Sequence, residues 1–337
     1  KGDINFLKRD LDNWENKFYY LQKEIKKQDA YTAFSYEDDK IFSLSGLQNS
    51  KILMCNESGY WAKYYSDRYG FNNPDEEWEK KNIDYFILGN SFAQGACVNR
   101  PFDISSQLRT KFKKSSLNMG YRNQGPLSQL ATLKEYYKPG VKNVIWLYSE
   151  DNDLNTLSKE LNSKILTNYL DDNSFSQNLK DKQKEINTAV KKEIKKIVNN
   201  SKKSQISNFF KLNSSRLFIY NFFPKKYQPI SKELKFNDIF LKIVLKAKNF
   251  SEKNKSNFYF VYLPDFKRYS LKDYSDENFE KIKIFLKDNN IKFIDINDLL
   301  FSKVEDPLIF FPLKMYGHYN EKGYSKISEV LIKKTFY

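Results

Sequence analysis

Residues 83–94 read Ile-Asp-Tyr-Phe-Ile-Leu-Gly-Asn-Ser-Phe-Ala-Gln (IDYFILGNSFAQ), and this stretch decides the fold. The run 83–88 is short, largely apolar and closed by Gly89, the pattern of a strand buried on both faces. The same signature returns at 144–148 (VIWLY), 258–263 (FYFVYL) and 291–296 (IKFIDI). Helical stretches follow or intervene at 127–137, 279–287 and 325–334. Strand then helix, repeated, predicts an α/β fold with a central parallel sheet covered on both sides.

Two segments depart from that rhythm. Residues 1–80 read as an N-terminal extension. Its first part carries apolar positions at Leu7, Leu11, Trp14, Phe18, Leu21 and Ile25, a heptad stripe on a helix that packs on the body. Further along, 59–74 (GYWAKYYSDRYGFNNP) reads as an ordered loop. Its aromatics Tyr60, Trp61, Tyr64, Tyr65 and Tyr69 fit packing better than stacking on sugar rings. Residues 81–337 form the main domain, interrupted at about 154–245 by a Lys- and Asn-rich helical insertion without a clear strand.

A chain of 337 residues can bury one full core and carry an appended segment. With 40% hydrophobic and 17% aromatic residues, a packed interior is feasible despite 29% charged content. The net charge of +15 raises the question of nucleic acid. Lysine is scattered along the chain rather than gathered in one stripe, so no nucleic-acid partner is expected; attraction to anionic membrane or glycan fits better. The two cysteines, Cys55 and Cys97, form no CxxC pair and have no histidine near them in sequence, so no metal site is expected. A disulfide between them is open. No run reaches the roughly 18 apolar residues of a membrane span, and Lys rather than Met at position 1 suggests an upstream signal or anchor.

Ligands of an open parallel sheet bind beyond the carboxyl ends of its strands, which directs attention to the residues that follow them. These are Gly89-Asn90-Ser91-Phe92, then Asn118-Met119-Gly120, then Glu150-Asp151-Asn152-Asp153; Tyr316-Gly317-His318-Tyr319-Asn320 precedes the last helix. His318 is the sole histidine of the chain. A lone histidine is more often a packing or surface residue, and a serine after Gly-Asn is a common turn or helix-cap choice. Together they have a chemical reading: imidazole titrates where a general base is useful, and a serine at a strand end can surrender its proton to it. Ala93 stands where a Gly-x-Ser-x-Gly elbow needs its second glycine, which counts against an ordinary α/β-hydrolase. After 258–263, Pro264, Asp265 and Arg268 are read as closing a strand and capping a helix rather than lining a pocket.

The order Gly89-Asn90-Ser91, Asn118-x-Gly120, Asn152-Asp153 and Gly317-His318-x-Asn320-x-x-Gly323 resembles the SGNH or GDSL hydrolase superfamily. The resemblance runs from about residue 84 to the C-terminus, interrupted by the insertion. It implies a flavodoxin-like three-layer α/β/α sandwich and acyl chemistry on esters, often O-acetyl groups of glycans, by a hydrolase or O-acyltransferase that needs no cofactor. Position by position, Ser91 looks like the nucleophile and His318 the base. The Ser91 N–H and the Asn152 side chain look like oxyanion donors, with Gly120 and Asn123 equal candidates for a further one. There are three departures. Asn90 replaces the family's aspartate before the serine. Asn123 stands where a glycine is usual. Tyr316 and Met315 occupy the positions of the aspartate that orients the histidine. The site is then a Ser-His dyad, or a carboxylate arrives from elsewhere, with Asp306 and Asp295 the nearest candidates in sequence. Two further readings stand beside the first: a catalytically weakened glycan-binding or assembly module, and a lipid-directed esterase or thioesterase. The family's glycan-directed members suggest a bacterial periplasmic or cell-surface location, with membrane anchoring through a segment upstream of position 1.

Overall fold

The computed structural model describes residues 24–25, 27, 30–32, 36–150, 153–195, 238–276 and 278–336. Ahead of the first predicted strand lies a small three-stranded sheet. In it β1 (Tyr31–Thr32) runs parallel to β2 (Lys51–Leu53), which is antiparallel to β3 (Lys63–Tyr65). The last of these falls inside the stretch expected to be loop. Three residues are too few for alternation to show, and their pairing with β2 is a tertiary matter.

The main sheet holds β4 (Ile83–Gly89), β5 (Ser116–Asn118), β6 (Val141–Ser149), β7 (Asn257–Leu263) and β8 (Lys292–Asp295). All pairings are parallel and the order is β5-β4-β6-β7-β8. The chain builds outward from β4 to one edge, then returns across it and builds the other side from β6. That reversal places the crevice of a doubly wound sheet between the carboxyl ends of β4 and β6.

Helices of the described residues include α1 (Ser91–Gln94), α2 (Ile104–Thr110), α3 (Pro126–Tyr136), α4 (Asp153–Glu160), α5 (Lys164–Asp171), α6 (Asp238–Lys253), α7 (Phe279–Asp288) and α8 (Glu321–Thr335). Side chains alternate between the two faces of the sheet. Phe86, Leu88, Val144, Trp146, Tyr148, Phe258 and Phe260 join Leu130 and Leu133 of α3, Phe240 and Val244 of α6, and Ile282 and Leu286 of α7. Tyr85, Ile87, Ile145, Leu147, Val261 and Ile294 join Leu108 of α2 and Ile327 and Leu331 of α8. With both faces covered, the strands read as continuous apolar runs. The result is a three-layer α/β/α sandwich with the flavodoxin-like strand order.

The described residues before β4 are not a separate unit in packing. Ile41, Leu44, Leu47, Ile52, Tyr64, Phe71 and Trp78 share one buried cluster with β4 and α3. Asp67 organises this layer: fully buried, it accepts hydrogen bonds from Tyr69 N and Phe71 N at 2.9 Å, Asn73 Nδ2 at 2.9 Å and Trp78 Nε1 at 2.8 Å. Tyr64 is buried and half-buried Tyr69 packs on Trp78 and Tyr136, whereas Tyr65 is exposed. The insertion contributes α4, α5, a helical stretch at 183–195 and α6 to the first face. Of the predicted heptad stripe only Ile25 falls within the described residues, where it packs with Ala30, Leu53 and Trp61. No helix among the described residues is long and apolar enough to cross a membrane.

Candidate active site

At the end of β4 the chain turns sharply into α1, and small residues make the turn possible. Gly89 has φ +150°, and a Cβ there would lie 2.8 Å from Ala93 Cβ and 3.0 Å from Leu147 O. Asn90 caps α1, its Oδ1 accepting from Phe92 N at 3.0 Å. Its Nδ2 donates to Asp153 Oδ1 at 3.1 Å. Asp153 is fully buried and also accepts from Ser149 N at 2.7 Å and Gln129 Nε2 at 3.2 Å. Burial pushes its carboxyl up to about 8, Glu160 adding to the rise and the donors opposing it. The departure at position 90 has its reason here: an aspartate would set a second carboxyl against Asp153, whereas the amide brings a donor.

Beneath α1 lies the loop after β5. A Cβ on Gly120 would meet Gln94 N at 2.4 Å and Ala93 C at 2.6 Å, so only glycine lets α1, which begins at Ser91, seat. The Gly120 N–H donates to Asn118 Oδ1 at 3.0 Å, which engages it within its own loop. Asn123 is exposed and left-handed at φ 62°, a conformation asparagine tolerates better than most residues. Asn152 lies outside the described residues.

His318 is held from both flanks. Tyr319, fully buried, donates to Pro264 O at 2.6 Å. Asn320 caps α8 by accepting from Gly323 N at 2.9 Å, and its Nδ2 donates to Ile309 O and Phe311 O at 2.9 and 3.0 Å. A Cβ on Gly323 would meet Phe310 O at 2.7 Å, which accounts for the last glycine of the block. The imidazole packs on Phe92 with centroids 4.8 Å apart. Its Nε2 lies 2.8 Å from Ser91 Oγ.

Behind the ring stands Glu57, on the hairpin between β2 and β3. Its Oε1 and Oε2 lie 3.0 and 3.3 Å from His318 Nδ1, and Oε2 accepts from the His318 backbone N at 2.7 Å. A Cβ on Gly317 would be 2.6 Å from Glu57 Oε2, so the close approach needs glycine beside the histidine. A carboxylate at Nδ1 keeps the proton there and leaves the Nε2 lone pair facing the serine hydroxyl. Both side chains are mostly shielded, at 23% and 17% exposure, so the pair is little screened by water.

The two carboxylates expected behind the imidazole are elsewhere. Asp306 accepts from Leu308 N at 3.0 Å and pairs with Lys314 Nζ at 2.6 Å. Asp295 caps the turn after β8 by accepting from Asp298 N at 3.2 Å. Nearness in sequence misleads here, because the orienting group comes from a different layer, 261 residues away. A hint lay in the cysteines. Cys55 and Cys97 form a disulfide, which joins the chain two residues before Glu57 to the chain just after α1.

The histidine that sequence spacing set far from both cysteines is brought by the fold to 3.6 Å between Nδ1 and Cys97 Sγ. Cys55, Glu57, Cys97 and His318 present possible ligand atoms within 4.8 Å of one another. With both sulfurs bonded to each other, neither is a thiolate donor, and the remaining carboxylate and imidazole form a hydrogen-bonded pair. Arg268 is engaged beside the crevice: its guanidinium bonds buried Glu150, which also accepts from Asp265 N at 2.7 Å and so ties the ends of β6 and β7 together.

No protein-family model matches the chain, and no curated protein matches it in sequence. Solved structures do superpose on it. One from Desulfitobacterium hafniense, described as of the lipolytic G-D-S-L family, is 14% identical, with a TM-score of 0.42 over 75% of this chain and 99% of its own. The YxiM protein of Bacillus subtilis is 13% identical, with a TM-score of 0.39 over 75% of this chain; the chain spans 56% of that protein. Likeness at this level bears on neither residue roles nor substrate.

Proposed function

We propose that the chain is a serine esterase or O-acyltransferase of the SGNH type, acting on acyl esters and foremost on acetyl groups of a glycan. The observation that carries this reading is the continuous chain Glu57–His318–Ser91, with separations of 3.0 and 2.8 Å, at the carboxyl end of β4. Ser91 Oγ attacks the ester carbonyl while Nε2 takes its proton, and Glu57 stabilises the imidazolium that forms. As the tetrahedral intermediate collapses, Nε2 returns the proton to the departing alkoxide and an acyl-serine remains. Water or a sugar hydroxyl, deprotonated in turn by Nε2, then takes the acyl group. The backbone N–H of Ser91, the N–H of Asn123 and the side chain of Asn152 are the proposed oxyanion donors, each worth about 10²- to 10³-fold in rate.

Glu57 fills the role that the missing aspartate left open, which favours a working site over a weakened binding module. Tyr316 fits a glycan acceptor: 60% exposed two residues before His318 and packed against Phe266 with Lys267 over its ring, it puts an aromatic side chain beside the site. The Cys55–Cys97 disulfide favours an oxidising, extracytoplasmic setting.

Turnover of p-nitrophenyl acetate, butyrate and decanoate, and acetate release from an acetylated glycan, test the proposal. The expected result is fastest cleavage of acetyl, with Ser91→Ala at least about 10³-fold slower. Turnover no greater than that of Ser91→Ala would overturn it, and preference for decanoate would redirect it to lipid.

A further inference from the structure

Glu57 reaches the imidazole from outside the main sheet, so something must hold its hairpin in place. Backbone bonds from Met54 N to Ala62 O at 2.8 Å and from Ala62 N to Cys55 O at 2.9 Å close the base of that hairpin, with Glu57 in its loop. Around it, Tyr60 OH donates to Glu321 Oε1 at 2.8 Å, Lys63 N donates to Asn99 Oδ1 at 2.9 Å, and the disulfide joins Cys55 to Cys97. We infer that this disulfide is a positioning element of the acyl-transfer site: it holds Glu57 against His318 Nδ1, and its reduction slows the chemistry through loss of the acid rather than through unfolding. The inference rests on the serine chemistry proposed above.

Both ends of the bridge bear on the reacting groups. Cys55 precedes Glu57 by two residues, with the hairpin base between them and the body of the protein. Cys97 follows α1, is buried, and has its Sγ 3.6 Å from His318 Nδ1. It also sits in the left-handed region at φ 65°, a conformation that residues with a side chain seldom adopt unless something fixes them there. Opening the bridge removes the covalent tie to the hairpin and frees Cys97 to relax away from the ring. The fold should stay, because each apolar cluster is built from many buried side chains and only Cys55 of the bridge packs at the edge of one. A displacement of about 1 Å at an orienting group is enough to cost about 10²-fold.

A water-soluble trialkylphosphine performs the reduction. Phosphorus attacks the Sγ of Cys55, the less buried of the two residues, and Cys97 leaves as a thiolate. Water then adds its oxygen to phosphorus and supplies two protons, giving a phosphine oxide and two thiols; phosphorus is oxidised by two electrons and the sulfurs are reduced by two.

The test compares wild type with Glu57→Gln, each oxidised and reduced, by kcat and KM on p-nitrophenyl acetate and by the rate of fluorophosphonate labelling. Near-ultraviolet circular dichroism follows the fold. Reduction should lower wild-type kcat about 10- to 100-fold with KM within about twofold, and should not lower that of Glu57→Gln, whose amide supplies no acid to lose. The Cys55→Ser/Cys97→Ser double variant should reproduce reduced wild type without phosphine. An equal fractional loss in both backgrounds, or loss of the near-ultraviolet signal on reduction, would overturn the inference by showing a general staple. Wild type that labels at Ser91 regardless of reduction overturns this inference alone, whereas oxidised wild type that never labels overturns the serine chemistry and this inference with it.

Discussion

A carboxylate 3.0 Å from His318 Nδ1 does more than hold a ring in place. It decides which nitrogen carries the proton, and therefore whether Nε2 can act on Ser91 at all. Glu57→Gln keeps the shape but offers an amide that donates to Nδ1, moving the imidazole proton to Nε2. Steady-state kinetics on an acetyl ester should show kcat falling about 10³- to 10⁴-fold with little change in KM. A change within threefold would mean that the carboxylate does not set the tautomer. At this scale the sequence was informative wherever a residue's place in the cluster follows from its local position. Ser91 stands at a strand end, and His318 is the one imidazole in the chain. Glu57 had no such marker, because a side chain that acts across a tertiary contact need not lie near its partner in sequence, and the aspartates nearest His318 turned out to cap and pair locally.

Short loops around α1 and α8 carry the site, and their glycines explain themselves through contacts that sequence cannot display. Gly120 was read as a possible oxyanion donor; its N–H bonds Asn118 instead, and its bare Cα lets α1 pack on the loop. Gly120→Ala should therefore act on the seating of α1. A Cβ 2.4 Å from Gln94 N forces backbone to shift, so the variant should lose about 1–3 kcal/mol in urea unfolding and label more slowly at Ser91. Unchanged stability and labelling would show that the loop yields freely. Four strands of the main sheet, β4, β6, β7 and β8, were legible because burial on both faces writes apolar runs, whereas β5 and β3 have only three residues each and show no period of their own.

Across the molecule, the strand order brings the ends of β4 and β6 together and sets Asn90 against Asp153. Described residues before β4, from Ile41 to Trp78, pack into the same core as the sheet, a continuity hidden in sequence because their apolar positions follow neither a helical nor a strand period. Among the carboxyls that burial raises, Asp153 reaches about 8 and Glu160 about 7. In the unfolded chain both release their protons near pH 4. Between there and pH 8 the folded state holds more protons than the unfolded one, so stability falls as pH rises through that window and levels off above it. Thermal melts from pH 5 to 8.5 should show this decline, and Asp153→Asn, which carries no titrating group, should flatten it by at least about 1 kcal/mol. A slope that Asp153→Asn leaves intact would place its origin elsewhere. The most direct test of the whole account is mass-spectrometric mapping of fluorophosphonate adducts on the oxidised protein. The account predicts a single adduct on Ser91, absent from Ser91→Ala and slowed at least about 10³-fold in His318→Ala; equal labelling of wild type and Ser91→Ala, or an adduct at another residue, would contradict it.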